Sequence, residues 1–232
     1  MGKGKINPEL IPEVITKEDF LETLKDHKYD NSDRFRSLWY YLISERLERF
    51  SSERQGLDYR MSDDEAILYI AFISQWNRAN REIIAIDYNG FKKFMTENNE
   101  TFNKLSNIGI EGLEDAVKSG VDVEGLVIRL VEGLIKIEGI GRVGATKILH
   151  MRLPRLFVPI DNSIAHQRAY RVRMDDEHFP EDYFRFLLTL SRMFRNVYEV
   201  WEKREDIRIS YGREKTFAKA IDEYNYLKTR DA

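Results

Sequence analysis

Apolar residues recur at helical spacing over most of the chain. From Ser32 they fall at 35, 38, 39, 42, 43, 47 and 50, which traces one stripe of a helix. The run QGLDYRMS ends it. Ser62 then opens a second helix with Glu65 three residues on, the spacing of a capping box, in which each side chain satisfies a backbone N–H of the first turn. Residues 63–74 carry Ala66, Ile67, Tyr69, Ile70 and Ile73 and read as nearly all core. In SQWNRANREII the period breaks and then resumes. Further helices are predicted at 90–105, 111–118, 123–135, 143–151, 180–204 and 213–228, with another opening at NSIAHQRAY. Residues 1–30 are charged, contain Pro8 and Pro12, and read as an N-terminal arm with one short helix near 17–26. No segment alternates with period 2, so the predicted fold class is all-α, with one domain over 31–232 and no internal repeat.

One stretch departs from plain amphipathic helix: IEGIGRVGATKILHMRLPRLFVPIDNSI at 137–164. Gly139 and Gly141 permit positive φ and close backbone approach between two helices. The helix that follows points free N–H groups and its positive dipole end out of the turn, where a phosphate fits. Arg142 stands at the turn and Lys147 within the helix. RLPRLFVPID is an extended connector stiffened by Pro154 and Pro159, and it ends at Asp161. A glycine used only as a helix cap would also explain the turn, and an N-cap for the next helix would also explain Asp161.

Charge bears on that choice. The chain of 232 residues has 42% apolar and 33% charged residues and a net charge of −3, which marks a globular protein and no bulk nucleic-acid binder. From 142 to 173, however, Arg142, Lys147, Arg152, Arg155, Arg168, Arg171 and Arg173 face one acid, Asp161, for a local balance of +6. A basic run of this kind is the footprint of a protein that reads a phosphate backbone. There is no cysteine, which excludes disulfides, thiol catalysis and Cys-held zinc or iron–sulfur centres. The basic N-terminus has no apolar run behind it, and the longest apolar stretch, 66–73, is too short to span a bilayer. His150 and His166 lack metal-ligand spacing, and either is a candidate phosphate contact. Trp76 is a candidate for stacking on a base or for the core. Trp39, Tyr40 and Tyr41 read as interhelical packing, and Asp63, Asp64 and Glu65 as first-turn acids rather than a metal site.

Three segments in order resemble the helix-hairpin-helix DNA glycosylase superfamily, with its endonuclease III-like and 8-oxoguanine-type members. LYIAFISQWNRANREII at 68–84 resembles an early helix whose following residues enter the gap left by an extruded base, and Ser74, Gln75 and Asn77 fall there. LIKIEGIGRVGATKIL at 134–149 resembles the hairpin, with Glu138 in place of its proline. VPIDNSIA at 158–165 resembles the catalytic-aspartate motif, where Asp161 and Ile164 match and Ser163 replaces the histidine. The resemblance spans roughly 62–175.

The resemblance implies two helical lobes with a cleft between them: a central lobe at about 62–160, and a second built from the N- and C-terminal helices. It implies base flipping from duplex DNA, with Asp161 as the catalytic carboxylate. Gly139, Gly141, Arg142, Gln75, Asn77, Arg152, Arg155 and Arg168 are the candidate DNA contacts. Strand-cleaving members carry a lysine just after the hairpin. Val143 stands at that position, so a monofunctional enzyme is expected. Lys147, one turn along on the same face, is the displaced candidate for a nucleophile. No cofactor is expected beyond a monovalent cation at the hairpin. The expected partner is double-stranded DNA, bound by a monomer in the cytosol, nucleoid or nucleus. The alternative is a non-catalytic DNA-binding protein that keeps the fold.

Overall fold

The computed structural model describes residues 15–25, 31–56, 58–76, 86–160, 170–210 and 213–230. The helices among them are α1 (Lys17–Lys25), α2 (Asn31–Glu48), α3 (Ser51–Arg54), α4 (Asp63–Trp76), α5 (Tyr88–Glu97), α6 (Asn99–Leu105), α7 (Leu113–Lys118), α8 (Val123–Ile135), α9 (Gly141–Arg152), α10 (Phe179–Glu202), α11 (Glu205–Arg208) and α12 (Phe217–Arg230). A 3-10 turn at Ile110–Gly112 precedes α7. The all-α expectation holds with one addition. Ile209–Ser210 pairs antiparallel with Arg213–Glu214, Ile209 opposite Glu214. Two residues a side are too few to show alternation in the sequence.

The helix expected at 90–105 divides at Asn98. The Phe94 carbonyl accepts both the Asn98 backbone N–H at 3.0 Å and its side-chain amide at 2.9 Å, so the side chain competes for an acceptor that continued helix would use. The short helix expected near 17–26 forms as α1, and it packs into the core. Ile15, Phe20 and Leu24 are buried, and the Phe20 ring packs on Phe194, Phe217 and Tyr224 at 5.4–6.1 Å. Asp19 of α1 pairs with Lys228 and accepts the Tyr224 hydroxyl, both on α12.

α2 packs on α4, α4 on α9 and α9 on α8. The long α10 packs against α8, α7, the 3-10 turn and α1, and α12 packs against α1 and α10. α9 is central: every residue from Gly144 to Arg152 is buried.

A polar network lies under α4. The Ser62 hydroxyl accepts the Glu65 N–H at 3.2 Å, so that half of the capping box forms. The Glu65 carboxylate turns inward instead, to 0% exposure, and meets Arg54 Nε at 2.8 Å and the Tyr59 hydroxyl at 2.7 Å. No helix among the described residues is long and apolar enough to cross a membrane.

Candidate functional site

The glycine turn forms as its residues require. α8 ends at Ile135. The Ile137 N–H reaches back to the Leu134 carbonyl and the Ile140 N–H to the Ile137 carbonyl, both at 3.2 Å. Ile137 and Ile140 are buried and anchor the turn inward, while Glu138 and Gly141 face out. Gly139 lies at φ +83° and Gly141 at φ +59°, the left-handed region. A Cβ added to Gly141 would meet nothing within 4 Å. Backbone hand therefore demands this glycine, and the space outside it is open. The Glu138 carbonyl accepts the Asp87 N–H at 3.1 Å, which ties the turn to the start of α5.

α9 begins at that turn without a side-chain cap and with no acid in its first turn. Other helix starts differ: α3, α6, α7, α10 and α11 also lack a side-chain cap, but each carries an acid in its first turn. Thr16, Ser62, Asp87, Asp122 and Thr216 each accept a first-turn N–H at the heads of α1, α4, α5, α8 and α12. The first N–H groups of α9 therefore face outward beside Gly141 with the positive end of the helix dipole behind them.

The basic run does not fold into one stripe. Arg142 pairs with Asp176, an acid just past the counted run. Arg173 makes a forked pair with Asp182, Nε at 2.6 Å and Nη2 at 3.0 Å. Arg155 is exposed and pairs with Glu111 at 3.5 Å. Arg152 is a correction to the surface reading: it is 6% exposed, donates to Asn99 Oδ1 at 2.5 Å and lies over the Phe102 and Tyr59 rings at 5.1 and 5.8 Å. Ten residues of helix separate Arg142 from Arg152, about 15 Å along the axis, so the two mark opposite ends of α9. Lys147 is 1% exposed in the middle of that helix. Asp161, Arg168, His166 and Asn77 lie outside the described residues, as does the side chain of Gln75 in the last turn of α4.

The connector after α9 is held at three points. Residues 157–160 are all buried. The His150 ring meets the Phe157 carbonyl through Nδ1 at 2.6 Å, the Tyr183 hydroxyl donates to the Val158 carbonyl at 2.9 Å, and the Ile160 N–H donates to the Thr146 hydroxyl at 3.2 Å. A carbonyl only accepts, so His150 Nδ1 carries the proton and Nε2 accepts the Tyr40 hydroxyl at 2.8 Å. Burial, aided by the charge of Lys219, pushes the His150 pKa down to about 3 and keeps the ring neutral. His150 is thus a structural clamp with both nitrogens engaged rather than a phosphate contact.

Beside this clamp, the Lys219 ammonium of α12 sits 5.1 Å from the centre of the Tyr40 ring and pairs with Asp222 at 2.6 Å. Burial opposes its charge, but Asp222 and Glu223 outweigh that and hold the ammonium above the ordinary lysine range. Thr146, Tyr183 and Asp176 carry no signal in the sequence, and Tyr40 reads there only as interhelical packing. Their partners lie 14 to 110 positions away, and no local template joins them.

The turn can accept an anion at the surface end of α9, and the clamp fixes the connector against that helix as far as Ile160. Among the described residues no group of three or more His, Asp or Glu side chains could hold a metal ion. No protein-family model, curated protein or solved structure matches the chain.

Proposed function

We propose that the chain is a DNA repair glycosylase of the helix-hairpin-helix type, which extrudes a damaged or mismatched base from duplex DNA and hydrolyses its glycosidic bond. In this reading α8, the glycine turn and α9 form the hairpin, and the cleft lies between the central helices and those at the two termini. The observation that carries it is the coupling of two ends through one buried helix. The uncapped head of α9 beside Gly141 and Arg142 takes a backbone phosphate, and the Thr146 hydroxyl of the same helix holds Ile160, the residue before Asp161. The Asp161 carboxylate stabilises the cationic sugar as the base departs, or takes a proton from the water that attacks the sugar carbon. The base leaves with the bonding pair. A monovalent cation at the turn would share the Ile137 and Glu138 carbonyls, which already accept N–H groups. DNA binding by a monomer in the cytosol, nucleoid or nucleus belongs to the same proposal.

A second reading is a DNA-binding protein that keeps the grip and lacks the chemistry. The depth of Lys147, together with Val143 at the usual lysine position, favours it over a strand-cleaving enzyme.

A panel of duplexes bearing uracil, 8-oxoguanine, alkylated purines and mismatches tests the proposal. Base release by wild type from at least one substrate is expected, and release from none leaves only the binder. Borohydride should trap no adduct. A covalent adduct lost in Lys147→Ala would contradict the monofunctional assignment.

A further inference from the structure

The loop between Arg173 and α10 is stapled at both ends. On one side the Arg173 backbone N–H and guanidinium hold Asp182 at 2.6–3.0 Å. On the other, Asp175 accepts the His178 N–H at 2.8 Å and meets the His178 ring at 2.7 Å. Between these fixed points the loop presents Asp176 to Arg142, 34 positions earlier in the chain. The Asp176 side chain stays 75% exposed and that of Arg142 34% exposed, so the pair is open to a competitor. Asp175 and Glu177 are two further exposed acids on the same loop.

We infer that Asp176 is a built-in phosphate mimic, and that loop 174–178 gates the anion site at the head of α9. The inference rests on the phosphate-grip reading of that turn. A carboxylate and a phosphate offer a guanidinium the same charge and the same paired oxygens. An exposed pair of this kind is weak, so a duplex phosphate displaces Asp176 instead of being shut out. A duplex must break that pair before Arg142 can take its phosphate. Non-specific binding is therefore held down, and a site that supplies further contacts overcomes the gate.

The test is a double-mutant cycle on affinity for an undamaged duplex, read by fluorescence anisotropy in about 0.05 M and about 0.2 M salt. Asp176→Asn should tighten binding about fivefold at the lower salt and less at the higher, while Asp176→Glu stays near wild type. In an Arg142→Ala background Asp176→Asn should change nothing. Equal tightening in both backgrounds, or none in either, overturns the gate. If Arg142→Ala weakens binding while Asp176→Asn has no effect, the grip stands and only the gate falls. If Arg142→Ala leaves affinity and salt dependence unchanged, the phosphate-grip reading fails and the gate with it.

Discussion

Ile160 donates its backbone N–H to the Thr146 hydroxyl over 3.2 Å, and the same hydroxyl donates to the Val143 carbonyl at 3.0 Å. One threonine thus joins the connector to the helix that begins at the glycine turn. Thr146→Val keeps the shape and removes both bonds, leaving a buried N–H without a partner. Such a group costs about 1–3 kcal/mol, and urea denaturation should show a loss of that size. Thr146→Ser should restore most of it. A valine variant as stable as wild type would mean that the bond does not hold the connector.

The clamp also predicts a pH dependence. The buried His150 ring has a pKa of about 3 against an ordinary 6.5, so the unfolded chain binds a proton there that the folded chain refuses. Stability from this group is complete above 6.5 and is lost as pH falls toward 3. The slope approaches about 1.4 kcal/mol per pH unit. His150→Gln can still donate to the Phe157 carbonyl and accept from Tyr40, but it does not titrate. Denaturation midpoints of wild type should fall more steeply than those of the glutamine variant across that window. Parallel curves would contradict a neutral, clamped histidine.

Glu65 answers two guanidinium groups under α4, Arg54 by direct pairing and Arg152 through the charge they share in the network. Breaking a buried ion pair by removing one partner costs about 3–5 kcal/mol. For a chain of this size each kcal/mol lowers Tm by about 2–4 °C, so Glu65→Gln should unfold roughly 10 °C below wild type by calorimetry. A shift under about 2 °C would show that the network is not the source of stability proposed here.

Much of this fold was legible, and the failures share a cause. Gly139 and Gly141 announced their turn because glycine at positive φ is a local requirement. Ser62 announced its helix for the same reason. Glu65 was misassigned because the capping-box template looks three residues back, while its partner Arg54 lies eleven residues back across a turn. The basic run ends at Arg173, and the acids that answer it, Asp176 and Asp182, begin three residues later. Arg152 was placed outside because arginine usually is, but the rings of Phe102 and Tyr59 cover its guanidinium and Asn99 accepts from it. Charge counts and caps are local, whereas burial and partners depend on what the fold brings near.

Gly141 separates backbone hand from packing. At φ +59° with open space around it, Gly141→Ala should destabilise by about 1 kcal/mol through the left-handed conformation alone. Duplex affinity should fall as well, because the turn relaxes and its N–H groups lose their aim. Urea denaturation and anisotropy on the same samples read both. Normal binding in the destabilised variant would separate the turn from the anion.

In the proposed enzyme a phosphate grip at Arg142 is joined to chemistry at Asp161. Single-turnover base release by Asp161→Asn tests it most directly, on a substrate that wild type processes and with duplex affinity measured on the same samples. The account predicts affinity within about twofold of wild type and release slowed by about a hundredfold or more, the loss of an essential charge in the transition state. Release at the wild-type rate from Asp161→Asn would contradict it.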